Sequence, residues 1–366
     1  MTARALRIER YVLAQTLGGV GATAAILGAV VVLVNFVELS TRLGGRVEAS
    51  FLTELGLTLL KSPSVMLQLL PFVFLFGVLA AFVNLNRRGE LVAIRAAGIS
   101  AWRFILPAAA AAFAIGVTTL AVLNPLSAAM DAAFEQARAA ILPAAAPRSR
   151  RIWLRQGDAH TQVIIGAAAR TGEGGVQLKD TSLFVYTLDS NGTPRFSRRI
   201  EAAQARLMKG YWRLTEALDA TPGARAAHYD VLTIPTNLDD RTALERFASP
   251  ESMSVWTLPG AVRRIEEAGF PAASYRLRLH QLLATPLLFA AMSILAASFS
   301  LRLTRLGGLA GLAGAGAISG FAFFFFDELC GSLAKAGAMP PSLAAWTPPI
   351  LALLSAFTLL FNTEDG

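Results

Sequence analysis

Residues 62–86 read SPSVMLQLLPFVFLFGVLAAFVNLN and residues 87–104 read RRGELVAIRAAGISAWRF. The first stretch holds no Asp, Glu, Lys or Arg over 25 residues, and crossing about 30 Å of hydrocarbon takes roughly 20 helical residues. It therefore predicts a transmembrane helix, and the mixed-charge stretch behind it predicts a short turn before the chain goes back. Five more charge-free runs follow the same rule: Tyr11 to Val37, Phe104 to Met130, Gln281 to Leu301, Leu306 to Phe326 and Ala336 to Thr363. Between Asp131 and His280 no such run exceeds 11 residues. Three helices, a polar domain and three more helices make up the expected layout. Composition agrees, with mean hydropathy +0.51 and 16% charged residues against roughly a quarter in an average soluble domain.

Arg4, Arg7 and Arg10 form a basic flank before the first run. That run is too long for the apolar core of a secretory leader and has no small-residue cleavage site, so it is expected to stay as a helix. Arginine near helix ends then orients the chain. With the N-terminus in the cytoplasm, the inner segments carry Arg4, Arg7, Arg10, Arg87, Arg88, Arg95, Arg103, Arg302 and Arg305, and the short outer loops only Arg42, Arg46, Lys61 and Lys335. Both termini are expected inside and the polar domain outside. The net charge of +8 follows from this asymmetry and from an outer domain slightly richer in basic residues, so no nucleic acid is implied. The single cysteine, Cys330, rules out an internal disulfide.

From about Arg150 to Leu238 the pattern shifts to short alternating runs such as TQVIIG, VQLKDTSLFVYTLD, YWRLTEAL and HYDVLTI, which argue for strands. Asn191-Gly192 marks a hairpin. The inner face of such a sheet is either filled core or an open apolar trough. After Pro250, Leu258, Val262, Ile265 and Ala268 recur at helical spacing until Gly269-Phe270-Pro271 stops them. Gly307, Gly308, Gly311, Gly314, Gly316 and Gly320 crowd the fifth span, which suits close helix packing or a subunit interface.

Few reactions fit. The four lysines, Lys61, Lys179, Lys209 and Lys335, follow Leu, Leu, Met and Ala, so no phosphate-binding G-x-x-x-x-G-K-[ST] loop exists and ATP hydrolysis must belong to another chain. His160, His228 and His280 have no metal-ligand spacing. Ser100 in Gly98-Ile99-Ser100-Ala101 is expected at the cytoplasmic end of a span and His280 at the outer end of another. It reads as a helix cap, not a nucleophile. An envelope enzyme would have to use His160 beside Asp158, or His228 beside Asp230. Asp327, Glu328 and Lys61 fall at span boundaries, so an ion-coupled carrier with charges at the midplane is disfavoured.

Within 87–104, Gly89 opens and Gly98 closes a two- to three-turn helix, with Glu90 in its first turn and Arg95 in its last. Leu91, Ile94 and Ala97 share a face, which suits either a lipid surface or a protein groove.

ELVAIRAAGISAWRF (90–104) resembles the coupling segment of the lipopolysaccharide export permeases LptF and LptG, also called the YjgP/YjgQ family. SMSVWTLPGAVRRIEEAGFPAASYRLRLHQLLATPL (252–287) is similar to the family's link from outer domain to fourth span. FDELCGSLAKAGAMPPSLAAWTPP (326–349) looks more like LptG than LptF. The resemblance implies a non-catalytic inner-membrane subunit with transmembrane helices in 1–130 and 276–366, a coupling helix at about 88–98, and a periplasmic β-jellyroll with linker helix in 131–275. Implied partners are an LptB-like ATPase dimer, which would hold ATP and Mg, an LptF-like paralogue, an LptC-like protein and an LptA-like bridge; the substrate would be lipopolysaccharide. The resemblance puts Glu90, Leu91, Ile94, Arg95 and Gly98 at the ATPase and favours the trough over the filled core. Arg42, Arg46, Lys61 and Arg138 stand where the family places cations for lipid A phosphates, but Asn35 and Glu38, and Asp131 and Glu135, depart from that pattern.

Overall fold

The computed structural model describes residues 3–43, 50–141, 152–157, 161–172, 175–189, 194–236, 250–267, 271–303 and 309–364. The chain divides into two compact units, 1–141 with 276–366, and 142–275.

The first unit is helical. Its elements are α1 (Ala3–Leu43), α2 (Phe51–Arg87), α3 (Glu90–Ala96), α4 (Ala101–Thr118), a π-helical turn (Thr119–Leu123) and α5 (Asn124–Ile141). The second unit contributes α6 (Leu258–Glu267), and the return half of the first consists of α7 (Ala273–Leu303), α8 (Leu309–Lys335) and α9 (Pro341–Glu364). Among the described residues, five helical runs are long and apolar enough to cross a membrane: Arg7–Thr41, Phe51–Arg87, Ala101–Arg138, Ala273–Leu301 and Pro341–Asn362. The remaining expected span, Leu306 to Phe326, starts outside the described residues and continues into α8, a helix of 27 residues. α1 has 41 residues and so spans about 60 Å, twice the hydrocarbon thickness. Helices α1, α2 and the continuous α4–α5 rod therefore project well past any bilayer.

Aromatic layers hold this unit together. Phe74 of α2 stacks on Phe289 of α7 with centroids 4.6 Å apart, and Trp102 at the start of α4 meets Phe357 and Phe361 of α9 at 5.6 and 5.3 Å. α7 is the most enclosed of the five candidate spans and α1 the least. Inside α7, the Ser298 hydroxyl donates to Ile294 O at 2.8 Å and approaches Ala356 O of α9 at 3.3 Å, which ties two helices where water is absent. Glycine sets the closest crossings. A Cβ on Gly116 of α4 would lie 2.5 Å from Pro286 Cα of α7, and one on Gly77 of α2 would lie 2.6 Å from Val20 Cα of α1. Of the glycines in α8, Gly316 and Gly320 pack against Leu79 and Leu75 of α2, whereas Gly311 and Gly314 face open space. The packing role expected of that glycine row thus holds for its second half.

In the second unit, β1 (Ile152–Gly157), β2 (Thr161–Gly172), β3 (Gly175–Leu188), β4 (Pro194–Met208), β5 (Tyr211–Ala220) and β6 (Ala227–Pro235) form one antiparallel sheet in chain order. A jellyroll of Greek keys would set non-consecutive strands side by side. The described strands instead make a meander, because short connections let each strand pair with its successor. The turn Asn191-Gly192 lies outside the described residues, and the strands around it pair as a hairpin. β4 runs through RIEAAQARLM, a stretch with helix-former composition, and buries Ile200, Ala202, Ala205 and Leu207 on one side. Pairing with β3 and β5 overrides local preference there. The switch of phase between Ala202 and Ala205 marks a row where the ladders skip Asp180, Ala203, Glu216 and Asp230, with Asp180 at φ 48° and Glu216 at φ 52°. Such irregular rows bend a sheet.

The inner face of the bend is filled. Leu183, Ile200, Trp212 and Leu214 are each 0% exposed and Leu178 is 1% exposed, so the described face is closed apolar core and not the open trough that the family resemblance favours. In α6, Leu258, Ala261 and Ile265 are buried and Val262 is half-buried, a stripe shifted slightly from the expected one; Ala268 lies outside the described residues.

Candidate coupling and headgroup sites

The α2–α3–α4 turn is built on its two glycines. Gly89 at φ 72° precedes α3 and Gly98 at φ 77° follows it, conformations that a side chain resists. At the far end Ile99 N donates to Ile94 O at 3.4 Å and Gly98 N to Arg95 O at 2.9 Å, the double bond of a Schellman close, and Ile94 and Ile99 both pack on the bundle core. Gly98→Val is expected to cost about 1–2 kcal/mol locally and to fray α3, which proteolysis of the turn would reveal. Ser100 takes the N-cap position of α4 with extended backbone, but its hydroxyl makes no capping bond.

The apolar side of α3 is already occupied by its own chain. Leu91 is 1% exposed and belongs to the bundle core, and Ile94 packs beside it. Glu90 faces the Tyr11 side chain of α1, lies 4.0 Å from Arg88, and has its second carboxylate oxygen enclosed. Arg103 of α4 reaches Glu9 of α1 at 3.3 Å. The ties through Tyr11 and Glu9 had no signal in sequence spacing, since α1 meets this turn only in three dimensions. Arg95 is half-buried, and the surface facing outward comprises Arg88, Val92 at 63% exposed, Ala93, Ala96 and Ala97. Of the expected coupling residues, Leu91 and Ile94 anchor the helix inward, Glu90 braces it sideways, and Gly98 sets its end.

At the other ends of α2 and α5, Lys61 Nζ lies 3.2 Å from Asp131 Oδ1, and Ser64 donates to the same oxygen at 3.1 Å. The Asp131 side chain is 10% exposed, and the ammonium also lies 5.7 Å from the Phe134 ring centre. Asn35 of α1 donates to Ser62 at 3.3 Å. Arg138 pairs with Glu135 one helical turn away at 3.6 Å. Two of the four expected headgroup cations are thus neutralised within the chain; Arg46 and the Arg42 side chain lie outside the described residues.

Of the two histidine–carboxylate pairs that an envelope enzyme would use, one lies in the described residues. His228 and Asp230 are 3.9 Å apart, but their side chains are 62% and 101% exposed, and a solvated pair of this kind has no desolvated nucleophile to activate. His160 and Asp158 lie outside the described residues. Leu277 clusters with Ala344 and Ala345 near the start of α9, while Trp102 packs on Phe357 and Phe361. The stretch of α9 between those contacts is about 20 Å long, so Ser100 and His280 occupy opposite ends of the unit. Among the described residues, no group of three His, Cys, Asp or Glu side chains is placed to hold a metal.

No curated protein matches the sequence. The family model described as lipopolysaccharide export system permease LptF/LptG matches residues 10–362. That match covers the β-sheet and nearly all of the helical unit, and the apolar helices make the chain a multi-pass membrane protein. The chain therefore belongs to the LptF/LptG family of lipopolysaccharide export permeases.

Proposed function

We propose that this chain is the LptG-like subunit of an ABC transporter that lifts lipopolysaccharide from the inner membrane and hands it toward the outer membrane. Six helices span the membrane with both termini cytoplasmic, the transmembrane parts being 1–130 and 276–366, and 131–275 forms the periplasmic domain and its linker. An LptB-like ATPase dimer binds ATP and Mg; this chain carries no cofactor and no catalytic group. An LptF-like paralogue completes the membrane path, an LptC-like protein attaches, and an LptA-like bridge receives the lipid from the β-sheet, a meander that takes the place of the family's jellyroll.

The observation that carries this reading is α3. It is a short helix locked at both ends by left-handed glycines, with Leu91 and Ile94 sunk into the bundle. A force on its outer face therefore moves α2 and α4 directly, and through the Arg103–Glu9 ion pair also α1. The test is depletion of the chain in cells, with export read as newly made lipopolysaccharide reaching the surface, alongside copurification of an ATPase. Continued export, or a complex without ATPase, would overturn it.

Headgroup recognition is set by the compensated cations. Asp131 holds Lys61 and Glu135 holds Arg138, so this subunit grips lipid A phosphates weakly. Asp131→Asn frees Lys61 and is expected to tighten binding of bis-phosphorylated lipid A by about five-fold, the most that a partly exposed ion pair of up to ~1 kcal/mol withholds. Titration of the purified complex in nanodiscs measures this.

A further inference from the structure

One buried side chain joins the two ends of the β-sheet. Gln156 lies on β1, the first strand of the sheet, and is buried. Its carbonyl oxygen accepts from Trp212 Nε1 of β5 at 3.2 Å and from Thr236 Oγ1, just past β6, at 2.6 Å. Its amide approaches Pro235 O at the end of β6 at 3.5 Å. The sheet order begins at β1 and ends at β6, so among the described residues no backbone ladder joins these two strands. Every consecutive pair of strands is held by a backbone ladder. Across the seam between the sheet's ends, Gln156 supplies side-chain hydrogen bonds where no described backbone ladder does.

The chemistry of the seam distinguishes it from the rest of the core. Trp212 is 0% exposed and its indole N–H needs an acceptor when buried; Gln156 supplies one and at the same time holds Thr236. Hydrogen bonds of this kind are short-ranged and directional, so the seam is held in one register when shut and loses its polar contacts together when the strands part. The side chains behind it, Leu183, Ile200, Trp212 and Leu214, are fully buried while the seam is shut. An acyl chain can enter by displacing one end of the sheet from the other, since separating β1 from β6 breaks no described backbone ladder, whereas separating any consecutive pair does.

We propose that Gln156, with Trp212 and Thr236, is the clasp of a collapsed acyl-chain site: the concave face of the sheet opens along the β1/β6 seam to take the acyl chains of a lipid and closes again when they leave. The proposal rests on the lipid-export reading above and assigns the control of that site to a positioning residue that does not itself touch the headgroup.

Two measurements on the full chain in its complex test it. In a Cys330→Ala background, Ala205→Cys places a thiol on the inner face, at a position 1% exposed. Adding Gln156→Leu keeps the volume and removes the clasp; alkylation of that thiol by a membrane-permeant maleimide is expected to rise about ten-fold, the effect of losing roughly one net hydrogen bond. In the second measurement, Gln156→Cys with Thr236→Cys is oxidised to lock the seam and then reduced. Export is expected to stop on oxidation and to return on reduction. Unchanged alkylation in Gln156→Leu overturns the proposal, and so does export that proceeds through the locked seam, or failure of the pair to cross-link at all. If Gln156→Leu fails to fold, as limited proteolysis would show, the reversible lock decides alone. Export that continues after depletion of the whole chain sinks the export reading itself; export that needs the chain yet ignores the lock sinks only the clasp.

Discussion

Gly77→Leu is expected to prevent the helical unit from assembling. A Cβ at this position would sit 2.6 Å from Val20 Cα and 2.9 Å from Val20 N, and the reciprocal Cβ on Gly19 would sit 2.4 Å from Gly77 O. All three opposing atoms are backbone, so no side-chain rotation makes room. The two helices would have to move apart along their whole contact, and in a bilayer no hydrophobic force draws them back. Overpacking commonly costs ~1–3 kcal/mol where side chains can yield, and here the cost exceeds that range. Loss of the protease-resistant membrane fragment in detergent, with membrane insertion retained, is the expected readout. Gly311→Leu provides the control, because that glycine faces open space and its substitution should leave the fragment intact. Equal damage from both would show that the α1–α2 crossing is not what holds the unit.

Leu91→Ala and Val92→Glu, adjacent on α3, are expected to fail in different ways. Leu91 is 1% exposed within the bundle core, so its truncation leaves a cavity costing about 2–5 kcal/mol. Thermal unfolding should drop several degrees, and ATPase binding should fall only as far as the turn loosens. Val92 is 63% exposed and its replacement costs the fold little, but a carboxylate in the centre of the outward face would meet the proposed ATPase partner unpaired. Copurified ATPase should fall by at least about ten-fold, since an unpaired buried charge costs several kcal/mol. Glu90→Gln tests the brace between them. It removes the charge but leaves an amide to face Tyr11, so complex assembly should persist while ATP hydrolysis loses part of its dependence on lipopolysaccharide. Complete loss of ATPase binding in Leu91→Ala, with Val92→Glu unaffected, would reverse the assignment of inner and outer faces.

Much of the architecture was legible because membrane helices advertise themselves through length and the absence of charge. Runs such as Ser62 to Asn86 need no partner to be recognised, and the resemblance of 90–104 and 252–287 to one family agrees with the match over 10–362. The ends of α3 were legible too, because a glycine forced into the left-handed region leaves a mark at a fixed position. The site residues were less so. Leu91 and Ile94 were expected to face a partner, yet an apolar helix face is satisfied by any apolar surface, and its own bundle was nearest. β4 was only half visible, since alanine, glutamine and arginine carry no strand signal and its neighbours supplied the pairing.

Local chemistry along the chain thus determined how many long helices there are, where the polar domain interrupts them, and where the turn at 87–104 must bend. Tertiary structure decided everything that depends on which surfaces meet: Asp131 neutralising Lys61 across 70 positions of sequence, Glu9 pairing with Arg103, and Gln156 joining the two ends of a sheet whose inner-face side chains are buried. The reason is the same in each case. Hydropathy and periodicity record what a residue prefers as a neighbour, whereas a hydrogen bond or an ion pair exists only when the fold carries two particular atoms to within about 3 Å.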